Sequence, residues 1–160
     1  MAKNKTPITP AIRLLRNEKV FFEEYTYNYE DRGGTAVSAR ELGVDEHSII
    51  KTLVMEDENK QPLIVLMHGD LEVSTKKLAR LIGVKNIAPC SPETANKHTG
   101  YLVGGTSPFG TRKSMPVYME DTIVELPKIY INGGKRGFLV VLDPRDVIRL
   151  LQPILVQVGI

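Results

Sequence analysis

Three groups of residues in this 160-residue chain have types and spacing that chemistry can use. Lys51 interrupts an apolar stretch between Ile50 and Thr52. On a strand it shares a face with Ile49 and Leu53, so its amino group can enter a pocket and bond a carbonyl, or it can decorate an exposed edge and deter mispairing. The residues alone leave both readings open. Gly105-Thr106-Ser107-Pro108-Phe109-Gly110 has the glycine spacing of a phosphate-binding loop, but Thr111 stands where the lysine belongs, which excludes a nucleotide triphosphatase. What remains is Gly104-Gly105. Its backbone N–H groups, unshielded by a Cβ, can face a developing oxyanion, or the pair can simply make a tight turn. Asn132-Gly133-Gly134-Lys135-Arg136-Gly137 reads as a hairpin turn whose two cations either grip phosphates or solvate the turn.

Other candidate chemistries are weaker. Cys90 is the single cysteine, so no disulfide within the chain and no multi-cysteine zinc site can form. It precedes a helix start at Ser91-Pro92, where amides would favour a thiolate, but a lone cysteine is usually packing, and that reading is preferred. His47, His68 and His98 lack helical metal-ligand spacing, and Ser107 has no Gly-x-Ser-x-Gly elbow, so the expectation is no metal, no cofactor and no triad.

Composition sets the frame for these groups. A hydrophobic fraction of 42% and a charged fraction of 25% describe one globular domain. Apolar runs such as Leu63–Met67 are far shorter than the ~20 residues that span a bilayer, and no apolar signal core follows Met1. The expectation is a cytoplasmic protein with no membrane partner. The net charge of +2 is too small to mark a nucleic-acid binder, yet the stretch from Leu71 to Lys113 holds seven basic and two acidic residues. Such asymmetry suits one polyanion-facing side.

Local signals then give the elements. Thr9 caps a helix over Pro10–Glu18, and Gly43 ends one over Ala36–Leu42. Ser74 and Gly83 bracket a helix over Thr75–Ile82, Ser91-Pro92 opens one that ends near Gly100, and Asp143-Pro144 opens a last helix through Leu151. Strands are predicted over Val20–Tyr27, Ile49–Met55, Pro62–Met67, Met115–Met119, Lys128–Ile131 and Phe138–Leu142, with a short one before Cys90. Adjacent strands with interspersed helices argue for an α+β domain with a curled, mixed sheet over residues 10–160, behind a loose tail of residues 1–9.

Thr9-Pro10-Ala11-Ile12, Lys51-Thr52-Leu53, Gly100-Tyr101-Leu102-Val103-Gly104-Gly105-Thr106-Ser107-Pro108 and Gly133-Gly134-Lys135-Arg136-Gly137 together resemble the YbaK/EbsC family, in order and in approximate spacing. That family is related to the editing domain of bacterial prolyl-tRNA synthetases. The resemblance implies a barrel-like sheet with flanking helices and a deacylase that removes cysteine misattached to proline tRNA. It makes Lys51 and Gly104 the catalytic pair, and Tyr27, Thr52, Gly105, Asn132 and Gly134 substrate-binding. Lys135 and Arg136 would meet the tRNA. The implied chemistry is substrate-assisted: the cysteinyl thiol attacks its own ester in a cyclisation expected to be five-membered, with proximity worth ~7–11 kcal/mol. Partners would be aminoacyl-tRNA, that is tRNA(Pro), and prolyl-tRNA synthetase, not DNA. Two departures bear on specificity: Leu139 stands where close relatives often carry an acidic or polar residue, and Asn132 where they often have serine. Alternatives are a deacylase for alanyl or seryl esters, and a non-catalytic module that binds tRNA or a synthetase.

Overall fold

The computed structural model describes residues 6–160. Of the segment expected to be a loose tail, residues 1–5 lie outside the described residues. Five helices are present: α1 (Pro10–Asn17), α2 (Gly34–Leu42), α3 (Thr75–Ile82), α4 (Pro92–Thr99) and α5 (Pro144–Leu151). The strands are β1 (Glu23–Thr26), β2 (Ile49–Asp57), β3 (Pro62–His68), β4 (Ile87–Pro89), β5 (Val117–Glu120), β6 (Ile129–Lys135), β7 (Phe138–Leu142) and β8 (Ile154–Val156). Helix boundaries follow side-chain caps: Thr9, Ser74, Ser91 and Asp143 each accept a backbone N–H of the first turn, and Gly43, Gly83 and Gly100 end their helices in the left-handed conformation. No helix among the described residues is long and apolar enough to cross a membrane.

The strands form one mixed sheet in the order β1-β7-β6-β2-β3-β5-β8, with β4 paired to β2 off that path. β2 runs antiparallel to β3 and β4 but parallel to β6. The sheet is unclosed, with β1 and β8 at its ends, so the barrel-like closure expected from the resemblance stops short. One face packs Ile50, Leu66, Met119, Ile131 and Val140 against α1 and α5. The opposite face is divided. Met55, Val65 and Met67 pack on Leu78 of α3, while Ile49, Tyr130, Leu139 and Val141 pack near Ala39 and Leu42 of α2. Lys51 stands on β2 at that division, between Ile49 and Leu53.

Three elements differ from expectation. β1 is only four residues long, because just Glu23–Thr26 pairs with β7. Asn132-Gly133-Gly134 is not a turn: β6 runs through it with a register shift between Asn132 and Lys135, and the turn is Arg136-Gly137 alone. β8, which no local signal announced, pairs in parallel with β5.

Candidate functional site

A gap in the sheet creates the site. β2 touches β6 only at Ile49↔Tyr130 and Ile50↔Ile131, and it touches β4 only from Met55 onward. Among the described residues, Lys51 to Val54 therefore have no strand beside them on that edge. Alternation decides which backbone groups are left over. The Ile49 carbonyl accepts from Gly69 N–H on the β3 side, and the Val54 carbonyl accepts from Cys90 N–H on the other side. With the β2–β3 register unbroken, odd residues point their N–H and C=O toward β3 and even ones point away. The N–H and C=O of Thr52 consequently open into the gap with no strand partner. The buried Thr52 hydroxyl has no hydrogen-bond partner either, the only such side-chain atom found among the described residues.

The gap opens into a cavity of about 470 Å³ lined by Tyr27, Lys51, Thr52, Gly104, Asn132 and Arg136, together with Leu139 and Cys90. Six of the expected site residues thus share one cavity. Gly105, Gly134 and Lys135 stand behind its wall. The two halves of the Gly104-Gly105 pair have different duties. A Cβ on Gly105 would lie 2.6 Å from Arg136 N and 2.8 Å from the Lys135 carbonyl carbon, so this glycine lets the loop lie on the β6–β7 backbone. Gly104 has φ +89° and would aim a Cβ at the Tyr29 hydroxyl, 2.6 Å away. Gly134 is enclosed by Thr9 and Tyr101, and Thr9 also donates to the Gly133 carbonyl at 2.5 Å, tying α1 to the bulge.

Side chains clamp this wall. Asn132 donates to the Gly104 carbonyl at 3.2 Å and accepts from the N–H groups of Gly134 and Lys135 at 2.7 and 3.1 Å. Arg136 donates to the Val103 carbonyl at 2.9 Å and lies over the Tyr29 ring, 5.3 Å from its centroid. Tyr29 was not singled out from the sequence, although it continues the alternation Tyr25, Tyr27, Tyr29.

Lys51 reaches toward Glu72 at 3.5 Å, with its own side chain 19% exposed and that of Glu72 83% exposed. A pair with one partner so solvated is weak, so Glu72 can swing out and leave Nζ to a ligand. Burial, with Tyr29 beside it, pushes the Tyr27 phenol above its usual range. Burial and neighbouring Glu56 push the Cys90 thiol up to about 11, which favours the packing reading over the thiolate one. Ser107 is fully buried and accepts the Phe109 N–H at 3.1 Å, which is a turn rather than a nucleophile. His47 and His68 stack with centroids 3.7 Å apart, near Asp70. Both His68 nitrogens are engaged, by the His47 carbonyl and the Thr122 hydroxyl at 2.7 Å each, so this cluster holds the sheet end together.

Known proteins are similar to this chain in sequence and in fold. The sequence pattern of the aminoacyl-tRNA editing domain matches residues 31–150. The chain is 33% identical to the "Putative Cys-tRNA(Pro)/Cys-tRNA(Cys) deacylase EbsC" of Enterococcus faecalis over 152 residues, covering 94% of this chain and 93% of that one. It is 29% identical to a proline–tRNA ligase of Thermodesulfovibrio yellowstonii over 85% of its own length but 22% of the ligase. A crystal structure of "a putative trans-editing enzyme for prolyl tRNA synthetase" superposes with a TM-score of 0.81 at 20% identity, covering 96% of this chain and 99% of the other.

Proposed function

The chain belongs to the aminoacyl-tRNA editing domain family, and on that premise we propose that it is a deacylase that releases cysteine misattached to tRNA(Pro). The observation that carries this reading is the meeting of Lys51, Thr52 and Gly104 at one cavity beside an open strand edge. The reaction needs no protein nucleophile. The substrate Sγ bonds to the ester carbonyl carbon, the bond to the ribose oxygen breaks, and the thiol proton leaves with that oxygen. Water then opens the thiolactone to free cysteine. Counting Sγ, Cβ, Cα and the carbonyl carbon gives a four-membered ring, not the five-membered one expected from the resemblance. Ring strain therefore offsets part of the proximity gain, and the protein must supply positioning and charge stabilisation.

Each residue has a role consistent with its place. Lys51 Nζ holds the ester or ribose oxygen once Glu72 releases it, and the Gly104 N–H faces the carbonyl on which negative charge develops. Tyr27 and Thr52 shape the pocket. Asn132, Gly105 and Gly134 fix the wall against which the substrate lies, and Lys135 and Arg136 meet the phosphates of the tRNA end. Leu139, Leu53 and Ile49 make an apolar surface that suits a thiol better than a hydroxyl, since an unpaired serine hydroxyl there costs about 1–3 kcal/mol. Prolyl-tRNA synthetase is the partner that would deliver the tRNA, and the site of action is the cytoplasm.

The test compares amino-acid release from Cys-, Ser-, Ala- and Pro-tRNA(Pro). Cysteine is expected to be released fastest, with loss of the advantage when its thiol is methylated. Equal release of alanine or serine would instead assign water as the nucleophile, and tRNA binding without any release would make this a binding module.

A further inference from the structure

The substrate of a deacylase carries an α-ammonium group with three donors, and the cavity must accept them. Among the described residues the only carboxylate lining the cavity is Asp31, which is exposed, and Leu139 presents no polar atom. Acceptors on the glycine wall are already engaged. The Leu102 carbonyl takes Gly105 N–H and the Thr106 hydroxyl, the Val103 carbonyl takes Arg136, and the Gly104 carbonyl takes Asn132. Asn132 Oδ1 takes two backbone N–H groups. Thr52 differs from these acceptors, since its carbonyl opens into the sheet gap and its hydroxyl has no partner among the described residues.

The edge at Thr52 also has the right pattern. An aminoacyl ester presents nitrogen, Cα and carbonyl in the order of one residue of a strand. Opposite an unpaired strand residue, such a unit exchanges two hydrogen bonds like an antiparallel pair. We infer that the aminoacyl group docks as a one-residue strand on Thr52, with the α-ammonium donating to the Thr52 carbonyl and hydroxyl and the Thr52 N–H donating to the ester carbonyl. The inference rests on the deacylase reading and narrows its substrate class: esters of free α-amino acids are accepted, and N-acylated ones, which lose the charge and two of the donors, are refused.

The experiment follows amide hydrogen exchange in ¹⁵N-labelled protein, without ligand and with 3′-cysteinylamino-3′-deoxyadenosine, whose amide link resists cleavage. Free protein is expected to exchange the Thr52 amide at least about tenfold faster than Lys51 and Leu53, whose amides pair with β3. Binding should slow Thr52 by about tenfold or more, and the N-acetyl and deamino analogues should bind at least about tenfold more weakly. Cysteine release from Cys-tRNA(Pro) is measured in parallel. Saturable binding with an unchanged Thr52 amide, or equal affinity for the deamino analogue, overturns the Thr52 seat and leaves the deacylase reading standing. Absence of both binding and release overturns both.

Discussion

β2 and β3 are partners in one hairpin and have opposite characters. Every residue of β3 is buried, while β2 is buried at both ends of Ile49–Met55 and half-open at Lys51, Thr52 and Leu53 between them. Thr52 faces Leu66 and Lys51 faces Met67 across the ladder. β3 is paired along its length by β2 on one side and through Ile64, Val65 and Leu66 by β5 on the other. On its edge away from β3, β2 has β6 at one end and β4 at the other, with no strand between them among the described residues. The contrast teaches that this site is made by withholding a neighbour: the backbone of a rigid central strand supplies unpaired groups in a fixed geometry, which a flexible loop would not.

Leu66→Ala tests the packed half of the comparison and has the largest expected effect on stability. Deleting a fully buried leucine should cost about 2–5 kcal/mol in denaturant unfolding, with KM unchanged in the fraction that remains folded. Gly105→Ala should follow, at about 1–3 kcal/mol, because its Cβ would meet backbone at 2.6 Å that cannot swing away. Gly104→Ala sharpens the point: the tip of the Tyr29 side chain can yield, but φ +89° still strains an alanine there. Thermal unfolding should drop for this variant too, while cysteine release falls further than for Gly105→Ala. Thr52→Val tests the open half. Removing an unpaired buried hydroxyl should leave stability equal or raise it by about 1 kcal/mol, yet lower kcat/KM for Cys-tRNA(Pro) by about tenfold. A loss of stability comparable to that of Leu66→Ala would break the comparison.

The smallest effect concerns Cys90, which lines the open half. Its thiol is raised from 9.0 to about 11 in the folded protein, so the folded state binds the proton more tightly than the unfolded chain. The stability this contributes is complete below about pH 9 and is lost as pH rises toward about 11. Iodoacetamide should accordingly alkylate Cys90 slowly at pH 8, with a rate that climbs until about pH 11. Rapid labelling at pH 8 would show an exposed thiolate in place of the half-buried thiol.

Legibility in the sequence followed the range of the forces involved. Ser74 with Gly83, and Asp143 with Pro144, placed α3 and the start of α5 because caps act within a turn. The sheet gap was not legible, since it depends on β6 bending away at the Gly133-Gly134 bulge and on β4 arriving from residues 87–89. β8 is three residues long and paired in parallel to a distant strand, so no local pattern announces it. In the site, Lys51 was ambiguous as a residue and gained its meaning from the motifs around it. Tyr29 was missed because its role comes from two contacts made across the fold, to Gly104 and Arg136. At Cys90 the helix it precedes kept a thiolate in play beside the preferred packing reading, and its partial burial with Glu56 decides for packing.

The central claim is that an open strand edge beside Lys51 and Gly104 cleaves the cysteinyl ester. Its most direct test is a single-turnover time course of labelled cysteine release from Cys-tRNA(Pro), with wild type and Lys51→Ala matched for folding by circular dichroism. The account predicts fast release by wild type and a fall of at least about 100-fold in the variant, near 3 kcal/mol of transition-state stabilisation. Release by the folded variant at the wild-type rate, or no release by either protein, would contradict it.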